Sequence, residues 1–132
     1  MKTFALLVSV TFIVAFNVSA QPGTLDPTFG IAGKAITDFT GADDLGNDIA
    51  LDSEGRMVLA GYTHNGSDYD FAVVRYNEDG ILDNTFGSGG KVTTAIGSGN
   101  DFGLSCAIQG DGRFVVSGYN FNGINNDFAL VR

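Results

Sequence analysis

From residue 33 to residue 76 the apolar positions fall into four short runs: 33 to 39, 46 to 52, 56 to 62 and 69 to 76. Between them stand Asp52-Ser53-Glu54-Gly55 and Asn65-Gly66-Ser67-Asp68, both rich in turn formers. Short runs bounded by Gly, Asn and Asp predict strands joined by hairpins, and Asn-Gly is the dipeptide most favoured for tight hairpin turns. No stretch of residues 21–132 keeps a helical apolar period. The same four runs recur at 90 to 96, 103 to 109, 113 to 119 and 126 to 132, with Gly112 and Asn122-Gly123 at the matching turns.

A shift of 57 residues superimposes the two sets without a gap. It lays Leu25-Asp26-Pro27-Thr28-Phe29-Gly30 over Leu82-Asp83-Asn84-Thr85-Phe86-Gly87, and Asp70-Phe71-Ala72-Val73-Val74-Arg75 over Asp127-Phe128-Ala129-Leu130-Val131-Arg132. Nearly half of the aligned positions are identical, so the chain carries an internal duplication: units of about 23–79 and 80–132, the second cut short. Stretches such as Met57-Val58-Leu59-Ala60 and Phe71-Ala72-Val73-Val74 are continuously apolar instead of alternating, which suits sheets covered on both faces. An all-β fold follows, of antiparallel four-stranded meanders stacked as β-propeller blades, with two repeats making an incomplete propeller. Open sheet edges and an uncovered sheet face would invite self-association.

The repeated motifs resemble the delta-60 repeat of exported bacterial proteins. They are Leu-Asp-x-Thr-Phe-Gly, Gly-Lys followed by Thr, a Gly-Arg hairpin (Gly55-Arg56, Gly112-Arg113) with an aliphatic strand and Gly-Tyr, and Asp-Phe-Ala-x-Val-Arg. One departure is Ala95 where the first unit has Asp38. The resemblance implies propeller architecture, with many such units in tandem, and no common activity.

Residues 1–20 combine Lys2, an apolar run from Phe4 to Phe16 and the small residues Val18, Ser19 and Ala20, which predicts a signal peptide cleaved before Gln21. The run is too short for a membrane span, so a secreted, cell-surface or periplasmic location is expected with no transmembrane segment after cleavage. Net charge is −8, and one more negative without Lys2. That field argues against nucleic acid and anionic membrane as partners. Cys106, the only cysteine, excludes an intrachain disulfide and aligns with Ile49, so it reads as a buried thiol acting as a small hydrophobe.

Positions shared by both units serve the unit. Asp70 and Arg75, matched by Asp127 and Arg132, read as an ion pair or turn contact, and Leu-Asp-x-Thr-Phe-Gly as a connector whose Phe29 or Phe86 anchors the core. No nucleophile, base and orienter can be assembled. The acidic stretches Asp43-Asp44 and Asp68-Tyr69-Asp70 match no calcium-loop pattern, so neither metal nor cofactor is expected. Variation concentrates in 40–43 and 63–69, matched by 97–100 and 120–126. In a four-stranded blade these share one face of the disc, opposite the 54–55 and 111–112 turns. Candidate ligand-binding residues are therefore Asp43, His64, Asp68, Tyr69, Asn100, Phe121 and Asn125. The reading is an exported, non-catalytic module binding an unknown protein or glycan. The alternative is a piece of an exported hydrolase or lyase whose active site spans further blades.

Overall fold

The computed structural model describes residues 23–132; the signal-peptide reading of residues 1–20 lies outside them. Seven strands and no helix form among the described residues: β1 (Asp44–Leu51), β2 (Met57–His64), β3 (Tyr69–Tyr76), β4 (Lys91–Thr94), β5 (Asp101–Ile108), β6 (Phe114–Phe121) and β7 (Asn126–Val131). They make two antiparallel sheets, β1-β2-β3-β4 and β5-β6-β7, each strand bonded to its sequence neighbour. The first sheet takes β1 to β3 from the first repeat unit and β4 from the second, the other sheet lies wholly in the second unit, and the two do not close on one another.

Each turn uses the chemistry its sequence supplies. In the β1–β2 turn, Asp52 Oδ1 accepts the Glu54 and Arg56 N–H groups while Gly55 takes the left-handed conformation at φ 76°. Between β2 and β3 the loop is four residues long, Asn65 to Asp68, and Asn65 is used for its side chain. Its Oδ1 accepts the Ser67 and Asp68 N–H groups, its N–H bonds the Asp68 carbonyl, and Gly66 carries the positive φ. Asn122 does the same for Ile124 and Asn125.

The first strand of each sheet is bulged, at Gly46 to Asp48 and at Gly103 to Ser105. The bulge pushes the Leu45 carbonyl over Gly61, where a Cβ would stand 1.8 Å from the oxygen; Phe102 and Gly118 repeat the arrangement at 1.9 Å. Hence the Gly before each Tyr of the Gly-Tyr pair has no substitute.

Alternation along the strands decides which face goes where. Val58, Ala60, Phe71 and Val73 share one face of the first sheet and form one core with Val116 and Ala129 of the second, joined by Cys106, Ile108, Phe114 and Val131. The opposite face of the first sheet carries Leu59, Ala72, Val74 and Tyr76. Polar bonds fasten the same joint: Asn47 Nδ2 donates to the Gly103 carbonyl at 2.7 Å, and Asp48 Oδ2 accepts from Ser105 Oγ and the Cys106 N–H. Cys106 is half-buried in this joint, and its thiol pKa is raised by burial and by the Asp48 charge.

One expectation needs correction. The run 33 to 39 is not a strand: beyond a bridge between Gly30 and Lys34 it is irregular, whereas its repeat equivalent forms β4. The reason is pairing. β4 bonds β3, while no strand among the described residues precedes 33–39 to offer it an edge. The segment instead lies across the Leu59 and Tyr76 face, held by a 2.6 Å bond between Thr37 Oγ1 and the Tyr76 hydroxyl. Asp70 and Arg75 make the expected turn contact and ion pair, each with a partner of its own. Asp70 accepts from Asn65 Nδ2 at 2.9 Å, closing the hairpin, and Arg75 donates to Asp83 at 2.8 Å.

Candidate functional site

The loops converge on two opposite ends of the sheets. At one end, Glu54 and Arg56 of the β1–β2 turn lie beside Asn77, Glu78 and Asp83 of the β3–β4 connector. At the other, the segment entering β1 meets the β2–β3 hairpin: the His64 N–H bonds the Asp43 carbonyl at 2.9 Å, and Thr40 Oγ1 donates to the His64 carbonyl. The second sheet repeats this, the Phe121 N–H bonding the Asn100 carbonyl at 2.9 Å.

A carboxylate, half-buried at Asp44 and buried at Asp101, anchors each entry. Asp44 accepts from the Phe39 N–H and from Thr63 Oγ1; Asp101, fully buried, accepts from the Ile96 N–H and from Asn120 Nδ2. These acids are spent on folding the loop, which leaves the side chains around them to vary.

At this end an aromatic cluster crosses the joint between the sheets. Tyr62 stands edge-on to Tyr69 and to Phe102, with centroids 5.3 and 4.7 Å apart. Tyr69 lies 5.4 Å from Phe102 and edge-on to His64 at 5.0 Å, and Tyr119 extends the cluster 5.1 Å beyond Phe102. Edge-to-face pairs at such spacings are each worth about 0.5–1.5 kcal/mol beyond their buried area. The Tyr69 N–H donates to Asn100 Oδ1 at 3.1 Å, so the first hairpin is tied to the loop entering the second sheet.

Of the seven candidates, the structure brings together Asp43, His64, Tyr69 and Asn100, with Phe121 joined through the Asn100 carbonyl. Asp68 stays within its own hairpin, bonded to Asn65, and Asn125 is likewise bonded to Asn122. His64 Nδ1 accepts the Gly66 N–H, which fixes the ring and uses one nitrogen as an acceptor. Among the described residues no group of three or more His, Cys, Asp or Glu side chains is placed to hold a metal ion.

Sequence reasoning missed Tyr62, Phe102 and Tyr119. A signal for the tyrosines was present: a period of two places Tyr62 on the same face as His64, and hairpin pairing sets Tyr69 opposite His64. Phe102 carried none, because its repeat equivalent is the aliphatic Leu45.

A four-stranded and a three-stranded antiparallel sheet, stacked face to face with polar contacts between their first strands, define propeller-type blades. Residues 53–86 match the family model described as "Domain of unknown function (DUF5122) beta-propeller". The matched segment runs from the β1–β2 turn through β2 and β3 to Phe86, and so spans Arg75, Asp83 and the connector that Arg75 grips. No curated protein and no solved structure matches the chain.

Proposed function

We propose that the chain is a non-catalytic binding module of an exported β-propeller of the delta-60 kind, which recognises a protein or glycan through the end carrying the variable loops. One observation carries this reading. His64, Tyr69, Phe102 and Asn100 gather where two blades meet, at the end where the repeats differ most, while the opposite end keeps the residues that build the connector. Aromatic rings offer large apolar area at low conformational cost, and a rigid scaffold beneath variable loops is the usual setting for recognition. Asp44 and Asp101, beside the site, act as acceptors for backbone N–H groups, a use that serves loop shape. Screening the chain on immobilised glycans and on extracellular protein extracts, with Tyr69→Ala as the paired control, tests the reading. Binding lost in Tyr69→Ala with no more than a modest fall in melting temperature supports it; binding unaffected by Tyr69→Ala and by Phe121→Ala rejects it.

A further inference from the structure

The two ends of the molecule differ in charge as well as in sequence variation. Every ion pair among the described residues lies at the connector end, where Arg56 meets Asp52, Glu54 and Asp83, Arg75 meets Asp83, and Arg113 meets Asp111. Lys34, whose bridge partner Gly30 bonds the Asp79 carbonyl, and Arg132, which follows β7, lie toward that end too. The loop end carries carboxylates without such partners. Asp44, Asp68, Asp70, Asp101 and Asp127 accept from neutral donors: backbone N–H groups, the Thr63 hydroxyl and the side-chain amides of Asn65, Asn120 and Asn122. Lys91, in the edge strand β4, donates from Nζ to the Asp38 carbonyl and lies 5.5 Å from the Phe39 ring.

This negative end also holds the aromatic cluster. Tyr62, Tyr69, Phe102 and Tyr119 are each half-buried, so part of each ring faces solvent. Among the described residues, cations stand over the Phe86 and Phe39 rings and not over these four. Asp68 and Asp70 flank Tyr69 in sequence, and the Asp43 carbonyl takes the N–H of His64, whose ring stands edge-on to Tyr69. A cation over an aromatic face is drawn by the ring quadrupole, and nearby carboxylates add to the attraction. Arginine suits both features at once, because its planar guanidinium stacks on rings and pairs with carboxylates. A neutral glycan gains nothing from that charge, and an acidic one is repelled by it.

We infer that the loop end recognises an arginine-bearing segment of a partner protein, with a guanidinium stacked on the exposed parts of the Tyr69 and Phe102 rings and its charge met by the Asp43 and Asp68 carboxylates. The inference rests on the recognition role proposed above and narrows it to a basic protein partner. The repeat supplies variants that the fold already accepts. Asn100 and Asn125 stand where the first unit has Asp43 and Asp68, and Leu45 stands where the second has Phe102. Asn122 Nδ2 bonds Asn125 Oδ1 as Asn65 Nδ2 bonds Asp68 Oδ1, so asparagine at 68 keeps the hairpin's acceptor.

Calorimetric titration of the purified chain tests this, using a short peptide of alternating arginine and glycine and the same peptide with neutral citrulline in place of arginine. The arginine peptide should bind, less tightly as salt rises, and the citrulline peptide should bind about tenfold more weakly or worse. Asp43→Asn combined with Asp68→Asn, and separately Phe102→Leu, should each weaken the arginine peptide about two- to tenfold. Glu54→Gln combined with Glu78→Gln removes the same charge at the connector end and should leave binding unchanged, since strands of 8 residues hold the ends further apart than the ~8 Å screening length. An arginine peptide that does not bind, or binds no better than its citrulline form, overturns the inference. Equal losses from the charge changes at the two ends overturn it as well. A neutral or amino-sugar glycan bound in a Tyr69-dependent way, with the arginine peptide left unbound, overturns it while the recognition role stands; binding indifferent to Tyr69→Ala and Phe121→Ala throughout defeats both.

Discussion

Arg75 Nε donates to Asp83 Oδ2 at 2.8 Å, so the end of β3 grips the connector that leads out to β4. The same guanidinium lies 4.7 Å over the Phe86 ring, and the backbone pairs as well: the Asp83 N–H bonds the Arg75 carbonyl, and the Arg75 N–H bonds Gly90. Asp83 is buried, and its other oxygen takes the N–H and hydroxyl of Thr85. Two motifs that look separate in sequence are therefore two halves of one lock. Arg75→Leu is expected to lower the melting temperature, since it strands a buried carboxylate. Arg75→Lys should recover part of the loss, keeping the charge but not the planar stacking. Equal melting temperatures for wild type and Arg75→Leu would contradict the lock.

The carboxylates at these contacts set the response to acid. Asp83 is held below its ordinary pKa by the Thr85 hydroxyl first, then the Thr85 N–H and, more weakly, Arg75; Asp48 by the Ser105 hydroxyl and the Cys106 N–H. A folded pKa below the unfolded value of about 3.9 means the stabilisation is fully present above pH ~4 and is lost as pH falls through the depressed folded values. Urea midpoints should be nearly flat from pH 7 to about 5 and fall steeply below about 4. Asp48→Asn should blunt that fall.

Glycine at 61 and 118 follows from the bulges. Gly61→Ala and Gly118→Ala force a methyl against the Leu45 and Phe102 carbonyls and should each cost about 1–3 kcal/mol or more. Gly110→Ala, with open space around it, should change stability by less than about 0.5 kcal/mol. Chemical denaturation of the three variants gives the comparison.

Cys106 reports on the joint. Burial and then the Asp48 charge raise its thiol pKa, so alkylation at pH 8 should be slow in the folded chain. Asp48→Ala removes the acceptor of the Cys106 N–H and should speed both alkylation and amide exchange there. Unchanged rates would show that Asp48 does not hold the blades together.

Alanine at His64, Tyr69 and Phe121 separates recognition from folding. Phe121 is partly exposed at its hairpin and should alter the melting temperature little, whereas Tyr69, packed against Tyr62 and Phe102, should show a modest loss. Any bound glycan or protein should weaken in all three.

Strand positions were legible because turn residues and apolar runs alternate twice at one spacing; β3 begins and ends where the pattern puts it. The run 33–39 misled because pattern reports the propensity of a segment, and a strand also needs an edge to bond. Arg75 and Asp83 were both visible as repeated residues, but their pairing was not, since it depends on how the connector folds back along β3. At the candidate site the hairpin residues were readable from variation between repeats. The ring cluster that joins them arises from the stacking of two sheets, which no local pattern encodes.

The central claim is that the two repeats stack as blades on one shared core. Nuclear Overhauser contacts from the Phe71 ring test it most directly, because that ring is buried against the second sheet, with its tip beside Gly118. Cross-peaks from the ring protons to Gly118 Hα and the Val116 methyls are predicted. Their absence in a folded chain, with each sheet showing only its own internal contacts, would contradict the stacked arrangement.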